Sequence, residues 1–584
     1  MSQDPQGSLR RHVRLRGKGS FLPIVLCLCQ AGVMSSAWAQ ADLSTQQFQR
    51  QQERERELRR QQERAPDVRL PAQPGAAAEA VPAQESPCFA VHRVVLDGAG
   101  SARFDWLLDL PEANPGGRCL GVQGINAVMS ALQNAIVARG YVTTRILAQP
   151  QDIASGELRL TIVPGKIRAI RFADNADPRA TQWNALPASP GDLLNLRDIE
   201  QGLENLKRVP TAEADIQIAP SEGKDAAPGD SDLVISYQQG IPIRLTLSVD
   251  DSGTKATGKY QGSATVSLDN WLTLNDLFYI SFSHDLGGGD PGARGSQSQV
   301  VHYSLPLGYW ALAFTNSSNR YHQAVAGINQ TYLYSGQSET NELKLSRLVY
   351  RDAVRKTTLS FKGFVRSSSN YVDDTEVQVQ RRRVAGWEMG LAHREFIGEG
   401  TLDLALAYKR GTGAFDAMAA PEEAFGEGTS RFRLMTADLN LNAPFALPMP
   451  WGQQAMRYTL GARAQWNRTP LTPQDKFSLG GRYSVRGFDG ESNLLAERGW
   501  YVRNELAAAL GASKQEIYAG LDYGEVGGPS TELLVGRRLA GAVLGLRGAL
   551  GRTNYEVFAG VPISQPDRFK TSPLTAGMSL MWSF

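Results

Sequence analysis

Residues 484–492, "SVRGFDGES", hold the charged group with the clearest chemistry in this 584-residue chain. Arg486 stands between Val485 and Gly487, beside the bulky Phe488, and the Asp-Gly dipeptide that follows favours a turn. A guanidinium in such a place needs an anionic partner, because carboxylates give it its strongest hydrogen bonds. The stretch therefore predicts an ion pair with a carboxylate from another part of the chain.

The strand-like stretch "EIYAGLDYG" supplies the candidate partner, Asp522. Because side chains alternate between the two faces of a strand, the apolar ones, including Ile517, share one face and Asp522 lies on the other. Gly520 and Gly524 would leave room for the turn to approach that face. Two alternatives stay open: Arg486 caps an exposed hairpin, or it pairs with another acid, namely Glu516, Glu525 or Asp489.

Signatures of catalysis or of a bound cofactor are weak in this sequence. The six histidines have no metal-ligand spacing, and there is no Gly-x-Ser-x-Gly elbow. The nearest match to a phosphate-binding loop, "GTKATGK" at 253–259, is followed by Tyr260 where Ser or Thr is required, and it lies between two predicted strands. We expect no catalytic residue, no metal and no cofactor, and the net charge of +2 gives no reason to expect a nucleic-acid partner.

The amino terminus has the layout of a signal peptide over residues 1–39. Basic residues precede the apolar run "FLPIVLCLCQAGVM", and the Ala-Trp-Ala tripeptide at 37–39 offers a cleavage site. A membrane-spanning helix needs roughly 20 apolar residues, and this run is shorter. Cleavage would remove two of the four cysteines and leave Cys88 and Cys119, which in an exported protein most simply form one disulfide.

The next residues divide into a polar segment and a linker. Residues 42–65 are polar almost all round, and glutamates and arginines three or four positions apart favour a helix without an apolar stripe. Such a helix is either solvated or lodged in a water-filled channel as a plug. At about 1.5 Å per residue it would span about 36 Å, enough to cross the core of a bilayer. The Pro/Ala-rich residues 66–87 are typical of an extended linker.

Two small α/β units follow, over residues 88–164 and 165–240. Each contains a strand, an amphipathic helix and two more strands, so the pattern repeats after about 75 residues. In the first unit the helix "GINAVMSALQNAIVARG" is followed by "YVTTRILA". In the second, "LRDIEQGLENLKRV" is followed by "ADIQIAP". The stretches after the helices are candidate sheet edges.

From residue 241 to residue 584 the sequence predicts β-strands alone. Stretches such as "IPIRLTLSVDD" alternate apolar and polar side chains, with aromatic residues near the strand ends. A soluble β-sandwich also alternates and is the main alternative. The final stretch "LTAGMSLMWSF" places an apolar residue at every second position up to Phe584, as the closing strand of a membrane barrel does. At roughly 20 residues per strand with its connection, we expect about 16 strands.

These residues carry a family resemblance. Val485-Arg486-Gly487-Phe488 resembles the VRG(F/Y) signature of the long sixth extracellular loop in the BamA/two-partner-secretion (TpsB) superfamily, and "GLDYG" at 520–524 is similar to the strand motif that receives it. The two α/β units resemble the POTRA domains of TpsB transporters, in particular those that export filamentous haemagglutinin. The resemblance implies a mainly β fold, a 16-stranded transmembrane β-barrel preceded by two α/β POTRA domains and an N-terminal plug helix. It also implies a loop around 480–495 that folds inward and is locked by Arg486 and Asp522.

The resemblance further implies an outer-membrane translocase of a Gram-negative bacterium, with its POTRA domains in the periplasm. It would bind an unfolded filamentous adhesin of the TpsA type through that partner's N-terminal secretion domain, and secrete it without ATP. Other expected partners are outer-membrane lipid, lipopolysaccharide and the barrel assembly machinery. Candidate substrate-binding positions are Leu132, Tyr141, Val142, Thr143, Thr144, Arg145, Leu203, Ile216 and Ile218. A passive porin and an insertase of other barrels are the competing functions.

Overall fold

The computed structural model describes residues 44–63, 66–70, 85–222 and 226–584. The predicted signal peptide lies outside these residues, as does most of the predicted linker. Residues 44–62 form helix α1, within the segment predicted as a plug. In the described parts of the chain, no helix is both long enough and apolar enough to cross a membrane.

The first α/β unit is a three-stranded sheet covered by one helix. Its elements are β1 (Phe89–Val91), β2 (Arg93–Asp97), β3 (Arg118–Leu120), α2 (Val122–Ala138), β4 (Arg145–Leu147) and β5 (Glu157–Val163). The sheet order is β2-β5-β4, with β2 parallel and β4 antiparallel to β5. Because α2 repeats apolar residues at helical spacing, it buries Val128, Leu132 and Ile136 in the core of the unit.

A two-stranded ribbon of β1 and β3 accompanies this sheet. A disulfide joins Cys88, just before β1, to Cys119 in β3. Nearby, the Glu85 carboxylate accepts hydrogen bonds of 2.7–2.8 Å from three backbone N–H groups of residues 121–124, at the start of α2. Desolvation acts to raise the pKa of Glu85, but these donors outweigh it and hold that pKa below its ordinary value. Glu85 therefore caps α2 as a carboxylate.

The second α/β unit repeats this connectivity. Its elements are β6 (Lys166–Phe172), α3 (Leu196–Leu206), β7 (Ala212–Pro220) and β8 (Asp230–Gln239). In the sheet order β6-β8-β7, the central strand β8 has the parallel strand β6 on one side and the antiparallel strand β7 on the other, as in the first unit. The Asn195 side chain caps α3 by accepting a hydrogen bond from the Arg197 N–H. In both units the strand after the helix lies at a sheet edge.

The described chain from residue 243 onward forms a closed β-barrel. Its strands are β9 (Ile243–Asp250), β10 (Gln261–Asp269), β11 (Leu277–Asp285), β12 (Arg294–Leu307), β13 (Trp310–Ala326), β14 (Thr331–Arg351), β15 (Arg355–Val372), β16 (Thr375–Glu376), β17 (Arg382–Ile397), β18 (Gly400–Thr412), β19 (Arg433–Met449), β20 (Gly452–Asn467), β21 (Phe477–Leu479), β22 (Leu494–Ala496), β23 (Arg498–Ala509), β24 (Gln515–Gly527), β25 (Arg538–Leu550), β26 (Thr553–Ser564) and β27 (Thr575–Ser583). β16 only extends one hairpin, and β21 and β22 pair with each other. The other strands of this set make the 16-stranded barrel, so the predicted fold class is confirmed.

Alternation along the barrel strands separates the lumen from the lipid-facing surface. On β24, Gly520 and Asp522 are buried, whereas Ile517 and Leu521 are exposed. The ring closes where β27 pairs with β9, with Leu580 opposite Val249. Because β9 begins directly after the second α/β unit, its first residues mark the end of the barrel next to the two units, which the resemblance places in the periplasm. Every second strand runs in the same direction as β9.

Short 3-10 helices lie in the connections. They are Ser101–Asp109, Pro111–Ala113, Ile153–Ser155, Gln378–Gln380, Pro421–Phe425, Pro473–Asp475 and Pro529–Leu533. The longest connection between two barrel strands, residues 468–497, joins β20 to β23 and contains β21 and β22. Many of its side chains are buried, as expected for a loop that folds into the barrel.

Candidate functional site

Arg486 and Asp522 are in contact inside the barrel. The Arg486 guanidinium donates from Nε to Asp522 Oδ2 at 2.8 Å and from Nη2 to Oδ1 at 2.9 Å. The Arg486 backbone N–H also donates to Asp522 Oδ2, at 2.9 Å. A second acid, Glu505, accepts from Nη1 at 2.6 Å. Arg486 and Asp522 are 4% and 3% exposed, so this is a buried, two-pronged ion pair with an additional carboxylate.

Adjacent barrel strands place the two acids side by side. Asp522 lies on β24 and Glu505 on β23, where Glu505 is directly opposite Gly520. Both point into the lumen because they share the buried parity of their strands. Sequence reasoning considered Glu516, Glu525 and Asp489 as rivals and missed Glu505, since its position next to Asp522 follows only from the strand register.

Glycines on the next strands give the turn its space. A Cβ at Gly541 on β25 would lie 1.9 Å from the Arg486 carbonyl oxygen, so any larger residue there would displace the turn. Gly487 has φ +100°, a conformation that other residues rarely adopt, and a Cβ on it would lie 2.5 Å from the Val561 carbonyl oxygen. A glycine in the wall, Gly541, and a glycine in the turn, Gly487, therefore allow the backbone of the turn to contact the barrel wall around Arg486.

The apolar residues of the same turn are buried in a cluster. Val485 is 0% and Phe488 is 2% exposed. The Phe488 ring meets Phe569 edge to face, with 5.7 Å between the ring centroids. The other buried members of the cluster are Phe477, Leu479, Leu494, Ala496, Val526 and Leu539. The loop is held by apolar burial as well as by the ion pair.

A second buried ion pair holds the start of the same loop. Arg366, on β15, donates to both oxygens of Asp475 at 2.8 and 3.2 Å. Here the arginine belongs to the barrel wall and the acid to the loop, the reverse of the first pair. Phe48 of α1 lies against the Arg366 guanidinium, 4.9 Å from ring centroid to carbon. Nothing in the local sequence around Arg366 distinguishes it from other lumen arginines.

Helix α1 lies in the lumen and is held mainly by polar contacts. Near its first turns, Gln47 donates to the Thr254 hydroxyl at 2.9 Å, and Arg50 donates to the Gly253 carbonyl at 2.8 Å and to the Gly490 carbonyl. The stretch that resembled a phosphate loop therefore contacts this helix. Toward the other end, Arg59 pairs with Glu342 at 2.8 Å. Its apolar contacts come from Phe48 and the half-buried Leu58.

Space remains between α1 and the barrel wall. A cavity of about 400 Å³ runs beside the helix. Charges of both signs line it, including Glu53 and Arg56 of the helix and Asp438 and Arg463 of the wall. A lumen of this kind offers hydrogen bonds and ion pairs but little apolar surface to a passing chain.

The predicted substrate-binding positions divide into accessible and inaccessible ones. Leu132, Leu203 and Thr144 are buried, as is Ile216, and Leu132 and Leu203 belong to the cores of their units. These four side chains are covered in this conformation, and their role in substrate binding stays a prediction. Arg145 is exposed, and Tyr141, Val142, Thr143 and Ile218 are half-buried.

The predicted edge strands also differ in length. Residues 141–144 form a turn, so β4 contains only Arg145–Leu147 of the stretch "YVTTRILA". The prediction of a longer strand there was wrong, because the chain is still turning after α2. By contrast, β7 has nine residues and pairs only with β8. Among the described strands of the two units, β7 is the longest edge.

The first residues of the predicted linker are fixed between the second unit and the barrel. We call residues 66–70 the clamp segment. Its Val68 and Leu70 N–H groups donate to Glu204 and Glu200 of α3, at 2.9 and 2.8 Å. Arg351, at the periplasmic end of β14, pairs with both glutamates at 3.0 Å. The clamp segment is thus ordered by buried charges, which differs from the extended linker expected for this stretch.

A membrane barrel that encloses a helix and an inward-folded loop, and that follows two periplasmic α/β units, defines an outer-membrane protein transporter. Residues 229–548 match the family of haemolysin secretion/activation proteins ShlB/FhaC/HecB. Residues 89–165 match the ShlB-type POTRA domain, and residues 166–220 match a POTRA domain. The chain belongs to the ShlB/FhaC/HecB family, the outer-membrane transporters of two-partner secretion.

Relatives and solved structures agree over most of the chain. The outer membrane transporter CdiB-2 of Burkholderia pseudomallei (strain 1026b) is 38% identical over 565 residues, 92% of this chain and 94% of the relative. The hemolysin transporter protein ShlB of Serratia marcescens is 26% identical over 475 residues, 78% of this chain and 79% of the relative. The structure of CdiB from Acinetobacter baumannii matches with a TM-score of 0.81 at 30% identity, covering 93% of this chain and 99% of that one. The predicted family and outer-membrane location are confirmed.

Proposed function

We propose that this transporter secretes a large adhesin of the haemagglutinin type, which it takes up unfolded in the periplasm and moves through the barrel without ATP. The observation that carries the proposal is the attachment of α1. A helix that lies in the lumen but is held mainly by hydrogen bonds can exchange its partners for water or for a passing chain. The plug would leave and the extended passenger would replace it.

Capture in the periplasm would use the free edge of β7. An unfolded chain can add to a sheet edge as a further strand, with backbone hydrogen bonds supplying affinity. β7 offers nine residues for this purpose, against three in β4. A photo-crosslinker at Gln217, which is exposed on β7, should therefore capture the passenger, while one at the exposed Val122 of the first unit should not.

The Arg486–Asp522 pair would fix the inward loop, and with it the shape of the pore beside the passenger. The loop contacts α1 directly, since the Gly490 carbonyl accepts a hydrogen bond from Arg50. A movement of the loop would change both the wall of the pore and the contacts that hold the plug. The role proposed for Arg486 is therefore positional, and it contacts no reacting group.

Translocation into liposomes tests the proposal. Purified protein is reconstituted, an N-terminal adhesin fragment is offered on one side, and its protease protection is measured. Intact protein and the exposed-pair control Arg538→Ala should transport the fragment, and Arg486→Ala should not. If intact protein conducts ions but never moves the fragment, the protein is a passive channel. If it instead accelerates the folding of other barrels into the liposomes, it is an insertase.

A further inference from the structure

Four arginines gather at the extracellular rim of the barrel, on its outward face. β18 is the ninth barrel strand and runs in the same direction as β9, so Arg410 near its end is extracellular. Arg433 begins the descending β19, Arg431 lies two residues before it, and Arg468 directly follows β20. All four side chains are exposed. They define a basic patch across three neighbouring strands.

Among the residues that the structure describes, the basic patch has no acidic partner of its own. In the described parts of the chain, none of these four side chains forms an ion pair, while Arg382 and Arg366 nearby are paired with Glu422 and Asp475. Arg410 and Arg433 are directly opposite each other in the strand register. The Arg468 N–H donates to the Arg433 carbonyl at 2.8 Å, which brings the third arginine alongside. Like charges opposite each other repel, so an anion between them would stabilise this edge.

An aromatic and apolar surface lies directly below the patch. The next outward-facing residues toward the membrane are Tyr408 on β18, Met435 on β19 and Trp466 on β20. These three residues are neighbours across the strands. Trp387 on β17 packs against Tyr408 with 5.6 Å between ring centroids. Tyrosine and tryptophan mark the level of lipid headgroups on membrane barrels. The arginines therefore stand at the level where the phosphates of outer-leaflet lipids lie.

We propose that this patch is a binding site for the phosphate groups of lipid A, the phosphorylated glycolipid of the outer leaflet. Arginine is suited to phosphate because its planar fork donates two parallel hydrogen bonds. The acyl chains of the same molecule would lie along Met435, Trp466 and the apolar residues below them. A free anion would satisfy the arginines alone, whereas lipid A engages the charged patch and the apolar surface together.

Native mass spectrometry of the purified full chain in detergent tests the site. The probes are bis-phosphorylated lipid A, the same lipid with its phosphates removed, and inorganic phosphate. The variant is Arg410→Gln/Arg433→Gln. The matched control is Arg320→Gln/Arg347→Gln, because both of these arginines are exposed as well. Neither lies opposite another arginine: Arg320 faces Gln337 across the strand pair, and Arg347 lies 5.0 Å over the Trp310 ring.

We expect the Arg410/Arg433 variant to bind lipid A at least tenfold more weakly, and the control to bind it like the wild type. Removal of the phosphates should weaken binding to the wild type by a similar factor and leave the variant nearly unaffected. Equal binding of lipid A by variant and wild type, equal binding of the two lipids by the wild type, or full displacement by equimolar inorganic phosphate would each overturn the proposal. Should the variant not fold, the two-lipid comparison on the wild type still decides.

Discussion

The inward loop and the plug helix occupy the same lumen but are attached in opposite ways. The loop buries Val485 and Phe488 and is fixed by two buried ion pairs, one at Arg486 and one at Asp475. The plug offers the lumen polar side chains, and Phe48 is its main buried apolar residue. Under the proposed function, the loop stays in the lumen and the plug leaves it.

The energetic terms follow this division. Full burial of a large apolar side chain contributes about 1.5–3 kcal/mol, and the loop has several such residues. Removing one partner of a buried ion pair costs about 3–5 kcal/mol, because the other charge is left unpaired. The plug has the pair Arg59–Glu342, whose side chains are 30% and 17% exposed and therefore less buried than the pairs of the loop. The loop is therefore attached more firmly than the plug, as the proposed exit of the plug requires.

The largest effect is expected for Arg486→Ala. It leaves the buried Asp522 with only Arg503, at 3.9 Å, whereas Glu505 keeps Arg547 at 2.7 Å. Breaking the buried Arg486–Asp522 pair costs about 3–5 kcal/mol, so the loop should leave its position. Secretion should fall at least tenfold while the amount of protein inserted in the membrane changes less than twofold, as measured by passenger release and by surface labelling. A parallel fall of secretion and insertion would show that the pair serves barrel assembly instead.

Deletion of residues 44–62 tests the other side of the comparison. Removing the plug should raise the single-channel conductance severalfold, because the lumen then contains only the loop. The melting temperature of the barrel should change little, since the buried pairs of the loop do not depend on most of α1. Unchanged conductance would mean that the loop, and not the helix, closes the pore.

A smaller effect is expected for Arg50→Ala. It removes the hydrogen bonds to the Gly253 and Gly490 carbonyls, which are worth about 1.5–3 kcal/mol in total for a charged donor. Transient openings in planar bilayers should become about tenfold more frequent. The matched control Arg60→Ala removes only a loose contact with Glu57 at 3.9 Å and should open no more often than the wild type.

The smallest effect is expected for Phe488→Leu. The change conserves most of the apolar volume and should cost about 1 kcal/mol, seen as a fall of a few degrees in the melting temperature with secretion nearly unchanged. Phe425→Leu, at a position that is 80% exposed, should leave the melting temperature where it is. A large loss of secretion in Phe488→Leu alone would mean that the aromatic ring contacts the passenger.

Parity predicted the lumenal side of β24 and made Asp522 a candidate partner of Arg486, because strand alternation is a local property. The family resemblance then singled out Asp522 among the alternatives. The sequence could not predict the contacts of Glu505, Arg366 and Gly541 with the loop, because these contacts depend on the register between strands and on the path of the loop through the lumen. The number of barrel strands followed from length, and their exact ends did not.

In the POTRA units the helices were predicted from their apolar spacing, and the same spacing explains why two predicted contact residues are covered. Leu132 and Leu203 form the repeating apolar face, and that face is the one a small unit must bury. The order of the clamp segment could not be predicted from the sequence, because its partners Glu200 and Arg351 are far away along the chain.

The clamp segment also sets how far the plug can travel. Six peptide steps separate Gln62, the last residue of α1, from Val68, which is bonded to α3. An extended chain of that length reaches about 21 Å, so the C-terminal end of a released plug stays within that distance of Val68. Confinement to such a volume corresponds to an effective concentration on the order of tens of millimolar. Under the proposed function, resealing is then an intramolecular step that needs no second molecule.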